Sequence, residues 1–307
     1  SIYNSNPYQQ DFRTGLVDKS QNLSIVGITF GLGKRLQWPD DYFQLSQSIS
    51  YQSFNLNNYG FRVGTDILSN GSLNNLSYEI QLIRNSAGPS LIFPTYGSEF
   101  SIGAKLTFPY SLVNGKDYSN IDLAEKYKWM EYYKLSFKGK WYTAFTDKLV
   151  LMMNAEGGYL GNYNSEVGAT PFERFFVGGD GLAAYQLDGR ETIGLRGYEN
   201  SQLSSIQGGT IYNKFQLELR YSITDKPSAS IYTLGFLEAG NSYDNFNSYN
   251  PFELKRSAGV GIRIFMPAFG LLGIDFAHGY DSLPFYNNSP NAPISGWQTH
   301  FIIGRQF

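Results

Sequence analysis

The stretch Lys214-Phe215-Gln216-Leu217-Glu218-Leu219-Arg220-Tyr221-Ser222-Ile223 decides the fold. Phe215, Leu217, Leu219, Tyr221 and Ile223 take alternate positions, and Lys214, Gln216, Glu218, Arg220 and Ser222 fill those between. Successive side chains of a strand point to opposite faces, so this spacing gives one apolar and one polar face. The same division recurs in 132–143, where Tyr133, Leu135, Phe137 and Trp141 oppose Lys134, Ser136, Lys138 and Lys140. In 256–266, Ala258, Val260, Ile262, Ile264 and Met266 oppose Ser257, Gly259, Gly261 and Arg263. Strands also fit 23–35, 42–54, 76–85, 99–108, 148–160, 229–241, 269–278 and 297–307, which makes eleven in all.

Alternation alone also suits a soluble antiparallel sheet with one wet face, so the connections arbitrate. Tight Pro/Asp/Gly turns at 38–41, 146–147, 224–227 and 267–270 alternate with long Asn/Tyr/Ser-rich links at 55–75, 109–131, 161–213, 242–255 and 279–296. The link at 86–98 is intermediate. Short turns on one side, long loops on the other and strands near the length that crosses a bilayer predict an all-β chain, a transmembrane antiparallel β-barrel. Hydrocarbon offers backbone N–H and C=O groups no partner, so a sheet in a membrane must close on itself. Eleven is odd and such barrels are usually even, so further strands are expected before Ser1. Residues 1–307 are read as one barrel domain, partial at its N-terminal side.

Composition agrees. Charged residues are 16% of the chain, against roughly 25% for an average soluble domain. The chain carries 24 Tyr, 23 Phe and 4 Trp, yet no apolar run approaches a spanning helix and the mean hydropathy is −0.30. A net charge of −2 gives no basic footprint for nucleic acid. The absence of cysteine removes disulfides and thiolate ligands, and only His278 and His300 are available for imidazole chemistry. No cofactor or metal is expected. No signal peptide is visible, and Ser1-Ile2-Tyr3 suggests the end of a strand, so an N-terminal portion of a larger protein is expected to be missing.

The longest link, 161–213, is too large for a simple connector. It contains an aromatic, glycine-rich run with Phe172, Phe175, Phe176, Gly178 and Gly179, then Leu195-Arg196-Gly197-Tyr198. This resembles the Val-Arg-Gly-Phe/Tyr signature of the BamA family of outer-membrane assembly factors. Five strands then follow to the C-terminus, as in that family. The resemblance implies a sixteen-stranded barrel, of which this chain supplies the C-terminal eleven strands, with the signature at the tip of an inward-folded loop. It implies acidic partners for Arg196, which by position are Glu218 and Glu238. Alternation alone puts Glu218 on the polar face, but it is ambiguous for Glu238, where the family has Asp. The final run, Trp297 to Phe307, with Phe301, Ile303 and Phe307 on one face and Gly304 between, resembles the terminal strand signal of outer-membrane barrels. Phe93-Pro94-Thr95-Tyr96-Gly97-Ser98 is a supporting match.

The resemblance further implies an integral outer-membrane protein of a Gram-negative bacterium that folds and inserts nascent outer-membrane proteins without bond chemistry. A lateral seam between the terminal and first strands would admit the client. Accessory lipoproteins of an assembly complex and outer-membrane lipid would be partners. Two other classes stay open: a secretion or transport pore of the same superfamily, and an outer-membrane hydrolase built on Asp275 and His278. The latter pair is three apart on a strand and faces opposite sides, which a catalytic relay does not allow. Gly179 to Ala184 matches a dinucleotide-binding string, but no βαβ unit surrounds it.

Overall fold

The structure is a computed structural model that describes residues 2–5, 8–10, 17–63, 66–182, 188–226, 229–284 and 293–304. Phe307 of the terminal signal, Pro227 of one turn, and Ala183 and Ala184 lie outside the described residues.

The chain is nearly all β. The strands are β1 (Ile2–Ser5), β2 (Tyr8–Gln10), β3 (Val17–Arg35), β4 (Phe43–Asn57), β5 (Phe61–Val63), β6 (Asp66–Leu68), β7 (Gly71–Asn85), β8 (Tyr96–Thr107) and β9 (Tyr133–Thr146). They continue with β10 (Leu149–Gly161), β11 (Phe175–Val177), β12 (Glu191–Ile193), β13 (Ile211–Lys226), β14 (Ala229–Tyr243), β15 (Lys255–Met266), β16 (Gly270–Ser282) and β17 (Ile294–Ile303). Eleven of these are long, and each expected strand coincides with one of them. The helices α1 (Tyr110–Val113) and α2 (Leu123–Lys126) are single turns inside the link between β8 and β9. Among the described residues no helix is long and apolar enough to cross a membrane.

The chain divides into two compact units. One comprises 1–82, 103–135 and 160–173, and the other 83–102, 136–159 and 174–307. In the first, β3 pairs antiparallel with β4 from Asn22↔Asn57 to Arg35↔Gln44. In the second, β10, β13, β14, β15, β16 and β17 pair antiparallel, each with the next. The two short strands β11 and β12 pair with each other in parallel.

Faces separate as the alternation requires. Phe215, Leu217, Leu219, Tyr221 and Ile223 are all exposed along β13, whereas Lys214, Glu218 and Ser222 are buried. On β15 Val260 is exposed and Ser257 and Arg263 are buried. Apolar outside and polar inside inverts the arrangement of a soluble domain, and it is the arrangement that a lipid-bathed wall needs. β14 departs from strict alternation. Its inner positions include Tyr232, Leu234 and Phe236, all buried, while Leu237 faces out. Both faces are therefore apolar over this stretch.

The inner apolar residues of β14 belong to a core at the turn end of the second unit. Ile92 and Phe93, from the link between β7 and β8, pack there with Tyr142, Val150, Met152 and Leu271. The Phe93 and Tyr232 rings lie 5.3 Å apart.

A cation introduced at the middle of the outer face tests this assignment. Leu219→Lys, opposite Gly235 on β14, is expected to lower stability in a bilayer by about 2–4 kcal/mol. Urea unfolding from phospholipid vesicles measures it.

Candidate functional site

Arg196 stands on the loop after β12 and is only 6% exposed. The loop approaches it through a backbone ladder: Gly178 N donates to Ile193 O at 2.9 Å and Gly179 N to Leu195 O at 3.1 Å. At the tip, Gly197 has φ +87°, and a Cβ there would sit 2.8 Å from Ser257 Cβ and 3.0 Å from backbone atoms of His278 and Gly279. Glycine is required both by the dihedral and by the closeness of loop backbone to β15 and β16.

The guanidinium meets three carboxylates from three strands. Nε and Nη2 donate to Glu238 Oε1 at 3.0 and 2.7 Å. Nη2 also donates to Glu218 Oε1 at 2.7 Å, and Nη1 donates to Asp275 Oδ2 at 2.9 Å. The backbone N–H of Arg196 donates to Glu238 Oε2 at 2.7 Å. Its planar face lies 3.4 Å from the centroid of the Phe236 ring, a cation–π geometry. Burial alone would disfavour the charged form, but Glu238, Glu218 and Asp275 hold the guanidinium firmly protonated.

The carboxylates have further partners. Arg220 Nε and Nη2 donate to Glu218 Oε2 at 2.8 and 2.7 Å, and Gln216 Nε2 donates to Glu218 Oε1 at 2.6 Å. Arg263 Nη1 and Nη2 hold Asp275 Oδ1 and Oδ2 at 2.6 and 2.7 Å. Lys214 Nζ lies 3.4 Å from Glu156 and 3.9 Å from Glu238. Three guanidinium groups thus face three carboxylates, so the buried cluster is charge-balanced and densely hydrogen-bonded, the condition under which buried ions are tolerated. Room for it comes from Gly261 and Gly273. A Cβ at Gly261 would fall 1.7 Å from Asp275 Oδ1, and one at Gly273 would fall 2.6 Å from Arg263 Cδ.

Neighbours of Arg196 are tied to the same wall. Gly197 N donates to His300 Nε2 at 2.9 Å, and the Tyr198 hydroxyl donates to Arg256 O at 2.8 Å. Burial pushes the Tyr198 phenol up to about 12, which keeps it a donor. Leu195 and Tyr198 are fully buried.

The structure therefore brings together Leu195, Arg196, Gly197, Tyr198, Glu218 and Glu238. Sequence reasoning did not find Asp275, Arg263, Arg220, Lys214 or His300 as parts of the cluster. Arg220 and Arg263 carried a signal, their place on polar faces, but which strands lie side by side was needed to see their partners. Asp275 is committed to two arginines and is fully buried, while His278 faces the other way against Tyr280 and Trp297. No hydrolytic relay is formed from them. Of the terminal-strand residues expected from the sequence, Phe301 and Ile303 lie apart from the cluster, exposed on the outer face. Gly304 N donates to Leu271 O at 2.8 Å.

The first unit holds a second buried ionic group. Glu173 pairs with Lys105 at short range and with Lys134 at 3.3 Å. Burial pushes its carboxyl up, but Lys105 and Lys134 outweigh that and hold it below the usual range. Among the described residues no group of His, Cys, Asp and Glu could hold a metal ion.

An antiparallel wall with an apolar outside, alternating short and long connections and a loop clamped to its polar face defines a β-barrel of the outer-membrane type. The Omp85 superfamily domain matches residues 8–307, so the chain belongs to the Omp85 superfamily. Among solved structures it is similar to BamA from Haemophilus ducreyi lacking POTRA domains 1–3, at 15% identity and TM-score 0.64, covering 98% of this chain and 57% of that one. It is also similar to CdiB from Escherichia coli, at 12% identity and TM-score 0.56, covering 97% and 48%. CdiB from Acinetobacter baumannii follows at 11% identity and TM-score 0.52, covering 98% and 45%. The chain thus spans about half the length of these structures, and at such identities the likeness is one of fold. No curated protein sequence matches it.

Arg196→Ala leaves three carboxylates without their shared cation and is expected to cost roughly 3–5 kcal/mol. Arg196→Lys should recover only part of this, because one ammonium cannot reproduce the planar fork. Urea unfolding and limited proteolysis of the 178–205 loop report both.

Proposed function

We propose that this chain is the membrane domain of an outer-membrane β-barrel assembly factor, integral to the outer membrane of a Gram-negative bacterium. It folds and inserts nascent outer-membrane proteins without bond chemistry. Residues 1–307 form its barrel domain, accessory lipoproteins of an assembly complex are its partners, and the surrounding lipid takes part in the event.

The observation that carries this reading is the terminal strand. β17 resembles the terminal strand of outer-membrane barrels and presents Trp297, Phe301 and Ile303 on its outer face. A terminal strand whose seam can open templates another strand by backbone hydrogen bonding, with alternate side chains setting register. In this reading the edge of β17 receives the client strand at the lipid boundary. Leu195 to Tyr198 have a positioning role: they hold the loop on the wall while Glu218 and Glu238 anchor Arg196.

One observation favours a second reading, an export pore for a dedicated partner. A cavity of about 300 Å³ on the polar side is lined by charged groups that include Lys138, Lys140, Glu156 and Lys214. A charged lining on the polar side suits translocation of a hydrated chain.

Vesicles containing the purified chain distinguish the two. The assembly reading expects faster folding of several unrelated urea-unfolded outer-membrane proteins, by about tenfold or more, and loss of that acceleration when Ile302→Pro interrupts β17. Acceleration confined to one partner, with export of that partner into the vesicle lumen, would establish the pore instead.

A further inference from the structure

We propose that His300 is a pH-sensitive latch: its neutral ring fastens the loop tip to the terminal strand, and a proton on that ring releases the tip.

The bond from Gly197 N to His300 Nε2, 2.9 Å long, is the latch itself. A backbone amide can only donate, so this bond exists only while Nε2 is unprotonated. The imidazolium carries N–H on both ring nitrogens and would set one donor against another. Neither group has water to turn to, because Gly197 is buried and His300 is only 5% exposed. Nor can the amide step aside within its site. Even a Cβ on Gly197 would come within 3.0 Å of Ser257, His278 and Gly279 atoms. A proton on His300 is therefore met by moving the tip away from the strand.

Charged groups reach the ring from three elements. Arg196 and Asp180 face it from the loop, Asp275 from β16 and Glu238 from β14. Asp275 stands directly opposite His300 in the β16–β17 ladder, and Asp180 follows the bridge between Gly179 and Leu195. Burial and Arg196 resist a second proton on the imidazole, whereas the three carboxylates attract it. The contact between Gln202 and Ser295 Oγ, 3.1 Å apart, has no titratable group. It keeps the loop close to β17 when the tip is released, so the latch can close again. Such a latch serves assembly and export alike.

The sequence makes the response assignable. His278 and His300 are the two histidines of the chain, and His278 packs on the other face against Tyr280 and Trp297. Histidine is the side chain whose ordinary titration falls between about pH 5 and 8.

The test uses the purified full chain folded in detergent. Proteinase K cleavage of the 178–205 loop is followed across that range, each rate divided by the rate on an unstructured peptide at the same pH. The corrected rate is expected to rise about tenfold from about pH 8 to about pH 5. His278→Gln should keep this response. His300→Gln offers Gly197 an amide oxygen at every pH and should stay protected throughout, while His300→Leu offers no acceptor and should be cleaved rapidly throughout. A wild-type rate indifferent to pH, or an unaltered response in His300→Gln, overturns the proposal. Proton NMR of the His278→Gln chain, in which His300 is the one remaining imidazole, covers the case in which His300 variants do not fold. Its titration midpoint should coincide with that of loop release. A ring that does not titrate in this range, or titrates apart from the release, overturns the proposal as well.

Discussion

A single buried guanidinium organises the second unit. Taking Arg196 out of water costs several kcal/mol unless its donors are met with good geometry. Here Glu238, Glu218 and Asp275 come from β14, β13 and β16, and each must reach the same few ångströms. Because strand side chains alternate, a one-residue slip of any of these strands would turn its carboxylate to the apolar face. The cluster therefore specifies register across the wall as well as the position of the loop. Partners such as Arg220 and Arg263 neutralise what one arginine cannot, so removing a member exposes an uncompensated buried charge and not merely a lost contact.

Much of this was legible in the chain, for a physical reason. A strand between lipid and a polar interior records its environment at every second residue, so β13 and β15 can be assigned face by face from their own residues. β14 cannot, because Tyr232, Leu234 and Phe236 turn inward to meet Ile92 and Phe93. The same double apolarity blurred the facing of Glu238. Arg196 was found through a motif and not through periodicity, since the loop around it has none. Asp275, Arg263 and His300 depend on which strands become neighbours and at what register. Asp275 stands opposite His300, for example, and no local pattern encodes a pairing of that separation. The short parallel strands β11 and β12 were missed for a related reason: three residues each hold too little alternation to be seen.

The low proportion of charged residues follows from the same geometry. Outer faces of the strands are largely apolar, so charge is concentrated in loops and on the polar face. The first unit repeats the rule on a smaller scale, with Glu173 buried between Lys105 and Lys134. Glu173 occupies a left-handed conformation at φ 64°. A non-glycine residue held there costs of order 1 kcal/mol or more, and it persists where the surroundings over-determine it, as two lysines do here.

Among its described residues the loop has no long strand of its own, and it is coupled to the terminal strand. Gly197 N–H is satisfied by His300 of β17, and Gln202 of the same loop lies 3.1 Å from Ser295 Oγ of that strand. Arg196, one residue away, is held by Asp275, which sits opposite His300 across the β16–β17 ladder. Separating β17 from β16 at this register would therefore strip the loop tip of a buried acceptor beside a buried charge. A backbone N–H left without a partner costs about 1–3 kcal/mol, so the loop and the terminal edge resist displacement together. This coupling keeps β17 in place along its β16 side.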